Sequence, residues 1–564
     1  MQKKITSFLI IYVFFSTEVF CQNLTLNITG KNETETQVID ALNYLKTHKD
    51  VLSITSEIAF IQQIIFKKGY IENEASELLK INDSLFSVKM SLNKKFNSIH
   101  IYYDNALIQK QILNKISGHV FKDYFELSFS EIENALNFIN SKISEEGHPF
   151  SKLQLQNIKT ENDTILKANL RIESSEEKRR INNIIIKGYE KFPRSYLKHY
   201  LKIKKGQIFD LASIKNKTEQ LKDLQFANQI KSPEVLFSKD STSLYIYLKK
   251  SQSNTFDGFL GFGTNENTNN IEFDGYLNLS LTNNLNFGES FRLLYKSDEN
   301  DQKTFDINAT LPYLFKTPIG ADFQLRIFKQ DSSFTTVNQS VKLHYQINSK
   351  HKVYAGLTNL ESNNLLSLNS VSNISDYKTA FYTLAYQYIK PQASNLLFPI
   401  NSQFYLETNF GNRKQTNASQ KQTQLTINAF KIFNLNQRNS IYTRINGAVL
   451  SSDNYLENEL YRFGGINSIR GFEENSLYAS LYGLINTEYR YQVSNSIYIH
   501  SIADAAYYEN QLTKTKEKLF GYGFGFGLIT KAGLFKFNYA NGKLQNQKFK
   551  LSNSKIHISI TTTL

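Results

Sequence analysis

The segment IEFDGYLNLSL, residues 271–281, alternates apolar and polar side chains with a period of two. Its apolar set runs from Ile271 to Leu281, and Glu272 begins the polar set on the opposite face. Strict alternation of this kind predicts a β-strand with one apolar and one polar face. The last segment of the chain, IHISITTTL at residues 556–564, repeats the pattern. The C-terminal part is therefore predicted to be β-structure.

About sixteen such segments, each of roughly ten residues, follow residue 251 and are separated by clusters of Asn, Ser, Asp and Lys. Their number and length predict that residues 251–564 form a sixteen-stranded antiparallel transmembrane β-barrel, apolar towards lipid and polar towards the interior. A soluble β-sandwich or solenoid also alternates in this way. The charged polar faces, the even strand count and the export signal described below favour the barrel.

The N-terminal part mixes helical and strand patterns instead. Residues 180–250 read as β-α-α-β-β: a strand ending at Gly188, two helices separated by Gly206, and two further strands. The same order is expected, with weaker patterns, over residues 96–175 and again over residues 22–95. Repeats of this size are typical of small α/β modules arranged in series.

The mean hydropathy is −0.39, and the longest apolar run, Ile5–Phe15, is too short to span a bilayer as a helix. This run follows a basic start, so residues 1–21 are predicted to be a secretory signal peptide. Cleavage before Gln22 and lipidation of Cys21 both stay open. Cys21 is the only cysteine, which excludes a disulfide framework and a cysteine metal site in the exported chain.

The net charge is +14, but the lysines are spread along an exported chain, which argues against nucleic acid. The charge indicates a solvated surface with some affinity for anionic lipid head groups. The nine histidines form no His-Glu-x-x-His motif, and no Gly-x-Ser-x-Gly elbow occurs. We therefore expect no enzyme activity, no cofactor and no metal site. The glycines that alternate with aromatics at residues 521–527 predict a strand whose interior face lies against something bulky.

The most specific signal is LYRFGGINSIRGF, residues 460–472, inside the longest connection of the predicted barrel, residues 452–476. A long, glycine-rich and patterned loop is more often functional than a simple hairpin. The alternative is a solvated surface loop. The candidate site residues in this loop are Gly464, Gly465, Arg470, Gly471 and Phe472.

This segment closely resembles the arginine-glycine-aromatic signature of the BamA/TamA outer-membrane assembly superfamily, which includes the two-partner secretion transporters. The resemblance implies that the loop folds back into the barrel and that Arg470 pairs with acidic residues of nearby strands. Asp504 and Glu488 match the acidic positions of that family. The alternation of their own strands independently places both carboxylates on the interior face. Arginine suits such an anchor because its guanidinium binds a carboxylate in a bidentate manner.

Residues 180–250 also resemble a POTRA domain, the periplasmic module of that family, with Gly188 and Gly206 at its two characteristic turns. Two or three modules before sixteen strands are most similar to a TamA-type protein. The chain departs from the family pattern at its C-terminal Leu564, where an aromatic residue is common, and at Pro399-Ile400-Asn401-Ser402.

The resemblance implies a bacterial outer-membrane protein with its N-terminal domains in the periplasm. The modules would bind unfolded clients through exposed strand edges. The barrel would open between strand one, residues 256–262, and strand sixteen, residues 554–564, and so insert clients into the membrane. A secretion pore that passes one protein through its interior is the alternative, whereas a passive porin needs neither module nor loop. Expected partners are unfolded outer-membrane or secreted clients and outer-membrane lipids, with accessory lipoproteins or an inner-membrane protein as further candidates.

Overall fold

The fold is described from a computed structural model covering residues 23–563 except 106–107, 175–176, 265–270, 298–301, 367–372, 393–394, 417, 531–532 and 549. The predicted signal peptide, Cys21 and Leu564 lie outside these described residues. The chain divides into two compact units, Met1–Arg179 with Ile208–Asp210, and Arg180–Gln207 with Leu211–Leu564. Within the described ranges, no helix is both long enough and apolar enough to cross a membrane.

The first unit begins with an α/β module in which β1 and β5 are parallel neighbours. Helix α2 buries Ile54, Ile58, Ile61 and Ile65, whose spacing of three and four residues gives the helix one apolar face. Asp50 caps this helix by accepting the Ser53 backbone N–H at 2.7 Å. The elements are β1 Leu24–Gly30, α1 Glu33–Asp40, β2 Thr47–His48, α2 Val51–Lys67, β3 Glu74–Ala75, β4 Leu79–Lys80 and β5 Leu85–Ser91.

A second module in the same unit forms a four-stranded sheet in the order β7-β6-β9-β8. Its elements are β6 Ser98–Tyr102, α3 Lys110–Leu113, β7 Tyr124–Ser128, a 3-10 turn Phe129–Glu131, α4 Ile132–Glu145, β8 Lys152–Thr160 and β9 Ile165–Glu173. Strand β7 was not expected from the sequence. It is as long as β6 and likewise buries two side chains, Phe125 and Leu127, but the expected β-α-α-β-β order has no strand between its two helices.

The second unit starts with a third module whose sheet has the order β10-β12-β11. Gly188 has φ = 88°, and a Cβ there would lie 2.4 Å from the Leu248 carbonyl oxygen, so the turn after β10 requires glycine. Gly206, with φ = 83°, lies within the segment between the two helices. The elements are β10 Asn183–Lys187, a π-helix Tyr196–Tyr200, α5 Leu211–Glu219, a 3-10 helix Gln220–Asp223, β11 Ala227–Phe237 and β12 Thr242–Lys250.

Sixteen further strands form one antiparallel sheet in which each strand pairs with the next, as the alternating pattern predicted. Their bounds are β13 Thr255–Thr264, β14 Ile271–Thr282, β15 Ser290–Ser297, β16 Gln302–Leu311, β17 Ile319–Gln330, β18 Phe334–Gln346, β19 His351–Asn364, β20 Tyr377–Pro391, β21 Ile400–Gln415, β22 Ala418–Asn434, β23 Asn439–Ser451, β26 Leu481–Gln492, β27 Ile497–Asn510, β28 Thr515–Thr530, β29 Gly533–Leu544 and β30 Ser554–Thr563. The short strands β24 Tyr461–Phe463 and β25 Leu477–Ala479 lie in the connection between β23 and β26. Single 3-10 turns occur at Leu314–Lys316, Glu457–Glu459 and Leu551–Asn553.

The wall of this barrel is apolar outside and polar inside. Tyr382 is 73% exposed on the outer face of β20, whereas the next residue, Thr383, is buried inside. The Thr383 hydroxyl lies 2.8 Å from that of Thr358 and donates to Asn409 Oδ1 at 2.6 Å. Buried polar groups are stable when they are hydrogen-bonded to one another, so the interior is a polar network.

The first and last barrel strands meet over a short seam. Among the described residues, β13 and β30 pair only at Thr255 with Thr563 and at Phe256 with Thr562. Every other neighbouring pair in the barrel has at least seven residue pairs, the shortest being β14 with β15. Over the rest of their described length, β13 and β30 are not paired with each other. The sheet is therefore weakest where it returns to its first strand.

Candidate functional site

The connection between β23 and β26 folds into the barrel as a hairpin built from β24 and β25. Three glycines shape it, at φ values of 116° for Gly464, 92° for Gly465 and 89° for Gly471. A Cβ on Gly464 would lie 2.4 Å from the Glu473 carbonyl oxygen, so only glycine permits this turn. We call residues 452–480 the interior loop.

Arg470 anchors the interior loop to the barrel wall. Its Nε and Nη2 donate to the two carboxylate oxygens of Asp504 at 2.8 and 2.6 Å, and its backbone N–H donates to the same carboxylate at 3.1 Å. Its Nη1 donates to Glu488. All three side chains are buried. The structure therefore brings together the arginine and both acidic residues that the sequence analysis singled out.

A second arginine completes the charge balance of this cluster. Arg490 donates from Nε to Glu488 Oε2 at 2.7 Å, so two guanidinium groups face two carboxylates. The Arg490 guanidinium also stacks on Tyr442 at 3.9 Å and on Phe398 at 4.5 Å. A buried charge is tolerated when it is paired and hydrogen-bonded, and here each of the four is.

The loop backbone rests directly on glycines of the wall. A Cβ on Gly521 of β28 would lie 2.4 Å from the Arg470 carbonyl oxygen. A Cβ on Gly542 of β29 would lie 2.4 Å from the Gly471 carbonyl oxygen. The crowding predicted for the 521–527 glycines is therefore caused in part by the loop itself. Gly542 was not singled out from the sequence because it lies outside that repeat.

Apolar residues of the loop form a small core inside the barrel. Phe463 stacks on Tyr482 with ring centroids 4.7 Å apart and an angle of 6°. Ile469 is fully buried, and Phe472 packs against the same cluster. These contacts are non-directional and add to the charged anchor, so they keep the loop packed along its whole length.

A second buried ion pair anchors the opposite arm of the loop. Arg413 of β21 donates from Nη1 to Glu459 Oε1 at 2.5 Å and from Nη2 to Gln420 Oε1 at 2.6 Å. It also contacts Asn454. Gln422 donates to the other Glu459 oxygen at 2.9 Å. Sequence reasoning missed this pair because its members are 46 residues apart and show no local pattern.

Arg462 makes a third attachment, to another part of the wall. Its guanidinium lies 4.6 Å from the ring centroids of both Phe328 and Phe334 and hydrogen-bonds Gln330. On the other side it stacks on Tyr478 of the loop itself at 4.8 Å. Arg462 therefore attaches the loop to β17 and β18, Arg413 attaches it to β21, and Arg470 attaches it to β26 and β27. These strands lie on separate parts of the barrel wall.

The tip of the loop contacts the last barrel strand and a strand near the first. Glu473 pairs with Lys555 of β30 at 2.9 Å, and Glu474 lies 3.7 Å from Lys296 of β15. These pairs are partly exposed and individually weak. Their positions matter more than their strength, because β30 forms one edge of the seam and β15 lies two strands from the other edge, β13.

The third module contacts the turns at one end of the barrel. The Tyr189 hydroxyl donates to Asn286 Oδ1 at 2.8 Å and accepts from Asn283 at 2.7 Å. Tyr196 donates to the Gly288 carbonyl at 3.1 Å. These contacts involve the turn between β14 and β15, two strands from the seam. Burial raises the pKa of Tyr196, so its hydroxyl stays protonated and remains a donor.

Among the residues that the structure covers, no group of three or more His, Cys, Asp or Glu side chains is arranged to hold a metal ion. The candidate site is instead a loop held by arginines inside a barrel, next to a weak seam. This geometry suits holding the loop at a fixed position inside the barrel.

The sequence pattern of the Omp85 superfamily domain matches residues 276–564, slightly more than half of the chain. The chain belongs to the Omp85 superfamily. The predicted resemblance to the BamA/TamA superfamily and the predicted fold class are thereby confirmed. Residues 179–251 match a second pattern, a POTRA domain described as a surface antigen variable number repeat. No curated protein matches the chain in sequence.

Several solved structures share this fold. BamA from Haemophilus ducreyi lacking POTRA domains 1–3 is 16% identical, with a TM-score of 0.50 over 83% of this chain and 100% of that one. CdiB from Acinetobacter baumannii is 15% identical, with a TM-score of 0.52 over 83% of this chain and 90% of that one. CdiB from Escherichia coli is 14% identical, with the same TM-score and coverage. At these identities the likeness establishes the fold.

Proposed function

We propose that this chain is a bacterial outer-membrane assembly factor that inserts client proteins through the seam between β13 and β30. The observation that carries the proposal is the two-pair seam. In a bilayer an unpaired backbone N–H or C=O is costly, so partly free strand edges favour pairing with an incoming client strand. The family membership supports a role in insertion or secretion, and the two are distinguished below.

The anchored interior loop supports insertion over passage through the barrel. Three arginine contacts attach the loop to the wall. Arg470 of the loop binds Asp504 and Glu488, and Arg413 of the wall binds Glu459 of the loop. Arg462 of the loop lies on the Phe328 and Phe334 rings. A protein crossing the interior would have to displace several buried, paired charges. A client that enters at the seam leaves them in place. Sideways insertion therefore requires less rearrangement of the observed contacts.

We further propose that residues 22–95, 96–175 and 180–250 are three POTRA domains in the periplasm that receive unfolded clients. The sheets of the second and third modules each end in a strand with one unpaired side, β8 in the second and β11 in the third. An edge strand can bind an extended segment through backbone hydrogen bonds and so tolerates different client sequences. Accessory lipoproteins or an inner-membrane protein are further candidate partners.

A disulfide across the seam tests the mechanism. Phe256 and Thr562 are register partners there, so Phe256→Cys with Thr562→Cys should form a bond that reductant reverses. The matched control is Val341→Cys with Leu357→Cys, register partners on the outer face of the continuous β18–β19 ladder. Both proteins are reconstituted in lipid vesicles with an unfolded barrel client.

The expected result is that the seam crosslink abolishes client insertion until reductant is added, whereas the control crosslink leaves insertion unchanged. If a verified seam crosslink leaves insertion intact, the lateral mechanism is wrong. Passage of a secreted client through the interior would then be the better account.

A further inference from the structure

Exposed apolar side chains occupy the barrel turns on the POTRA side. Six of these turns are described, and each carries a large apolar residue that is between 42% and 95% exposed. Turn tips are usually polar, because Asn, Asp, Ser and Gly satisfy their backbone groups. One such residue from each turn, in chain order, is Phe287, Phe315, Ile347, Leu396, Leu435 and Val493. We call this set the POTRA-side rim.

The connections at the far end of the barrel differ. Among their described residues, only Leu365 and Leu551 are large apolar side chains with comparable exposure. The short far-side turns at residues 331–333 and 511–514 carry none. The apolar rim is therefore a property of one end of the barrel and is not a general feature of its turns.

The turn at Phe315 is strained as well as apolar. Phe315 and Lys316 have φ values of 50° and 61°, a left-handed conformation that bulky residues rarely adopt. Such strain persists only when the surroundings impose it. Here Pro312 and Pro318 restrict the turn, and His199 of the third module hydrogen-bonds the Lys316 carbonyl at 2.9 Å. The result is a phenyl ring with 95% of its surface exposed.

The rim continues the apolar outer surface of the wall. Leu311 at the end of β16, and Ile319 and Phe323 on β17, flank the Phe315 turn and are each 40–44% exposed. Phe433 of β22 continues in the same way into Leu435. At these two turns the exposed apolar surface of the wall therefore extends to the rim.

Charge at the rim is mainly positive. The six described turns carry Lys316, Lys350 and Arg438 and one acidic residue, Glu289. The Glu289 carboxylate accepts the backbone N–H groups of Leu285 at 2.6 Å and Phe287 at 3.0 Å, so it is used within its own turn. Cations next to apolar side chains are the arrangement that suits a membrane surface with anionic head groups.

From these observations we infer that the POTRA-side rim is seated in the head-group and upper acyl-chain region of a phospholipid leaflet, with a preference for anionic phospholipid. This inference rests on the proposed function in one respect, namely that the barrel spans a bilayer. It adds that the turns are embedded in the leaflet, which would hold the third module against the membrane surface.

The absence of tryptophan from the sequence makes a direct test available. Phe315→Trp and Leu435→Trp each introduce a single fluorophore at the rim. Ile445→Trp, in the middle of β23 on the outer wall, reports on the bilayer core, and Thr416→Trp reports on the far-side turn between the longer strands β21 and β22. Each full-length variant is folded into phosphatidylcholine vesicles, with or without phosphatidylglycerol, in which the acyl chains carry bromine at defined depths.

Both rim tryptophans should be quenched most by bromine near the head group, Ile445→Trp by bromine deep in the chains, and Thr416→Trp little by any. Unquenched rim tryptophans beside a quenched Ile445→Trp would overturn the inference while leaving the membrane-spanning barrel intact. An unquenched Ile445→Trp would instead refute the membrane placement itself, and the inference with it.

The charge preference has its own test. Replacing Lys316, Lys350 and Arg438 together by glutamine should remove any gain in rim quenching that phosphatidylglycerol produces in the parent. The rim tryptophans should still be quenched by brominated phosphatidylcholine. An unchanged response to phosphatidylglycerol in the triple variant would overturn the anionic preference.

Discussion

The Arg413–Glu459 pair permits a sharp test of how the interior loop is held. Arg413→Ala leaves Glu459 buried without its cation, and breaking such a pair destabilises the local structure by about 3–5 kcal/mol. The Glu459 carboxylate would still accept the Gln422 side-chain N–H and the Leu456 backbone N–H, each at 2.9 Å. Because these two donors remain, we expect the lower figure, about 3 kcal/mol.

The assay is the rate at which a buried thiol in the loop reacts with a maleimide. Leu460→Cys is placed next to Glu459, in a background where Cys21 is either cleaved away or replaced. If the thiol reacts only when the arm opens, a loss of about 3 kcal/mol accelerates the reaction roughly a hundredfold. A second thiol, Ile469→Cys, sits near the Arg470 anchor and should respond much less.

Lys414→Ala is the matched control, because Lys414 is an exposed cation on the same strand. It should leave both rates unchanged. Exchanging the two charges, as Arg413→Glu with Glu459→Arg, should restore part of the protection. If Arg413→Ala changes the Leu460→Cys rate by no more than a factor of about two, less than 1 kcal/mol, the pair does not anchor the loop.

Three further predictions follow from the site and the module contact. Arg470→Lys keeps the charge but loses the bidentate fork, so client insertion should fall while the barrel still shows heat-dependent gel mobility; full insertion activity would make the fork dispensable. Gly542→Ala places a Cβ against the Gly471 carbonyl and should expose the loop to protease, unlike Gly483→Ala, where a Cβ meets nothing within 4 Å; equal protease resistance of the two would contradict this contact. Burial, the largest effect, lowers the pKa of His199. The stability that His199 contributes to the folded module is therefore complete above the ordinary histidine pKa of about 6.5. It is lost as pH falls through the lowered pKa of the folded state. The third module should therefore become easier to cleave in acid, and a cleavage rate that is flat with pH would contradict this.

The parts of this fold that could be predicted are those whose sequence pattern depends on neighbouring residues. Alternation with a period of two identifies the barrel strands because it depends only on neighbouring residues, and the 3-and-4 spacing of Ile54, Ile58, Ile61 and Ile65 identifies α2 in the same way. Strand β7 was missed although it is as long as the predicted β6, because the expected β-α-α-β-β order has no strand between its two helices. Where a repeat order was assumed, it outweighed the local pattern.

Only part of the candidate site could be predicted from the sequence. Arg470 and its two acidic partners could be named because a motif marked the arginine and the resemblance supplied the acids. Arg413 could not, because its pairing with Glu459 depends on strand register and on the path of the loop between them. The two-pair seam was likewise hidden, since alternation shows which residues face outward and says nothing about how far two distant strands remain paired.

The ion pairs of Glu473 with β30 and of Glu474 with β15 connect the loop to strands at and near the seam. If separating β13 from β30 weakens these contacts, then the free energy of seam opening includes a term for loop release. Linkage of this kind is reciprocal, so an agent that changes the loop must change the seam equilibrium by the same factor. A ligand that binds the loop would then act as an allosteric effector of seam opening. A chain occupying the seam would, by the same factor, alter the affinity of that ligand.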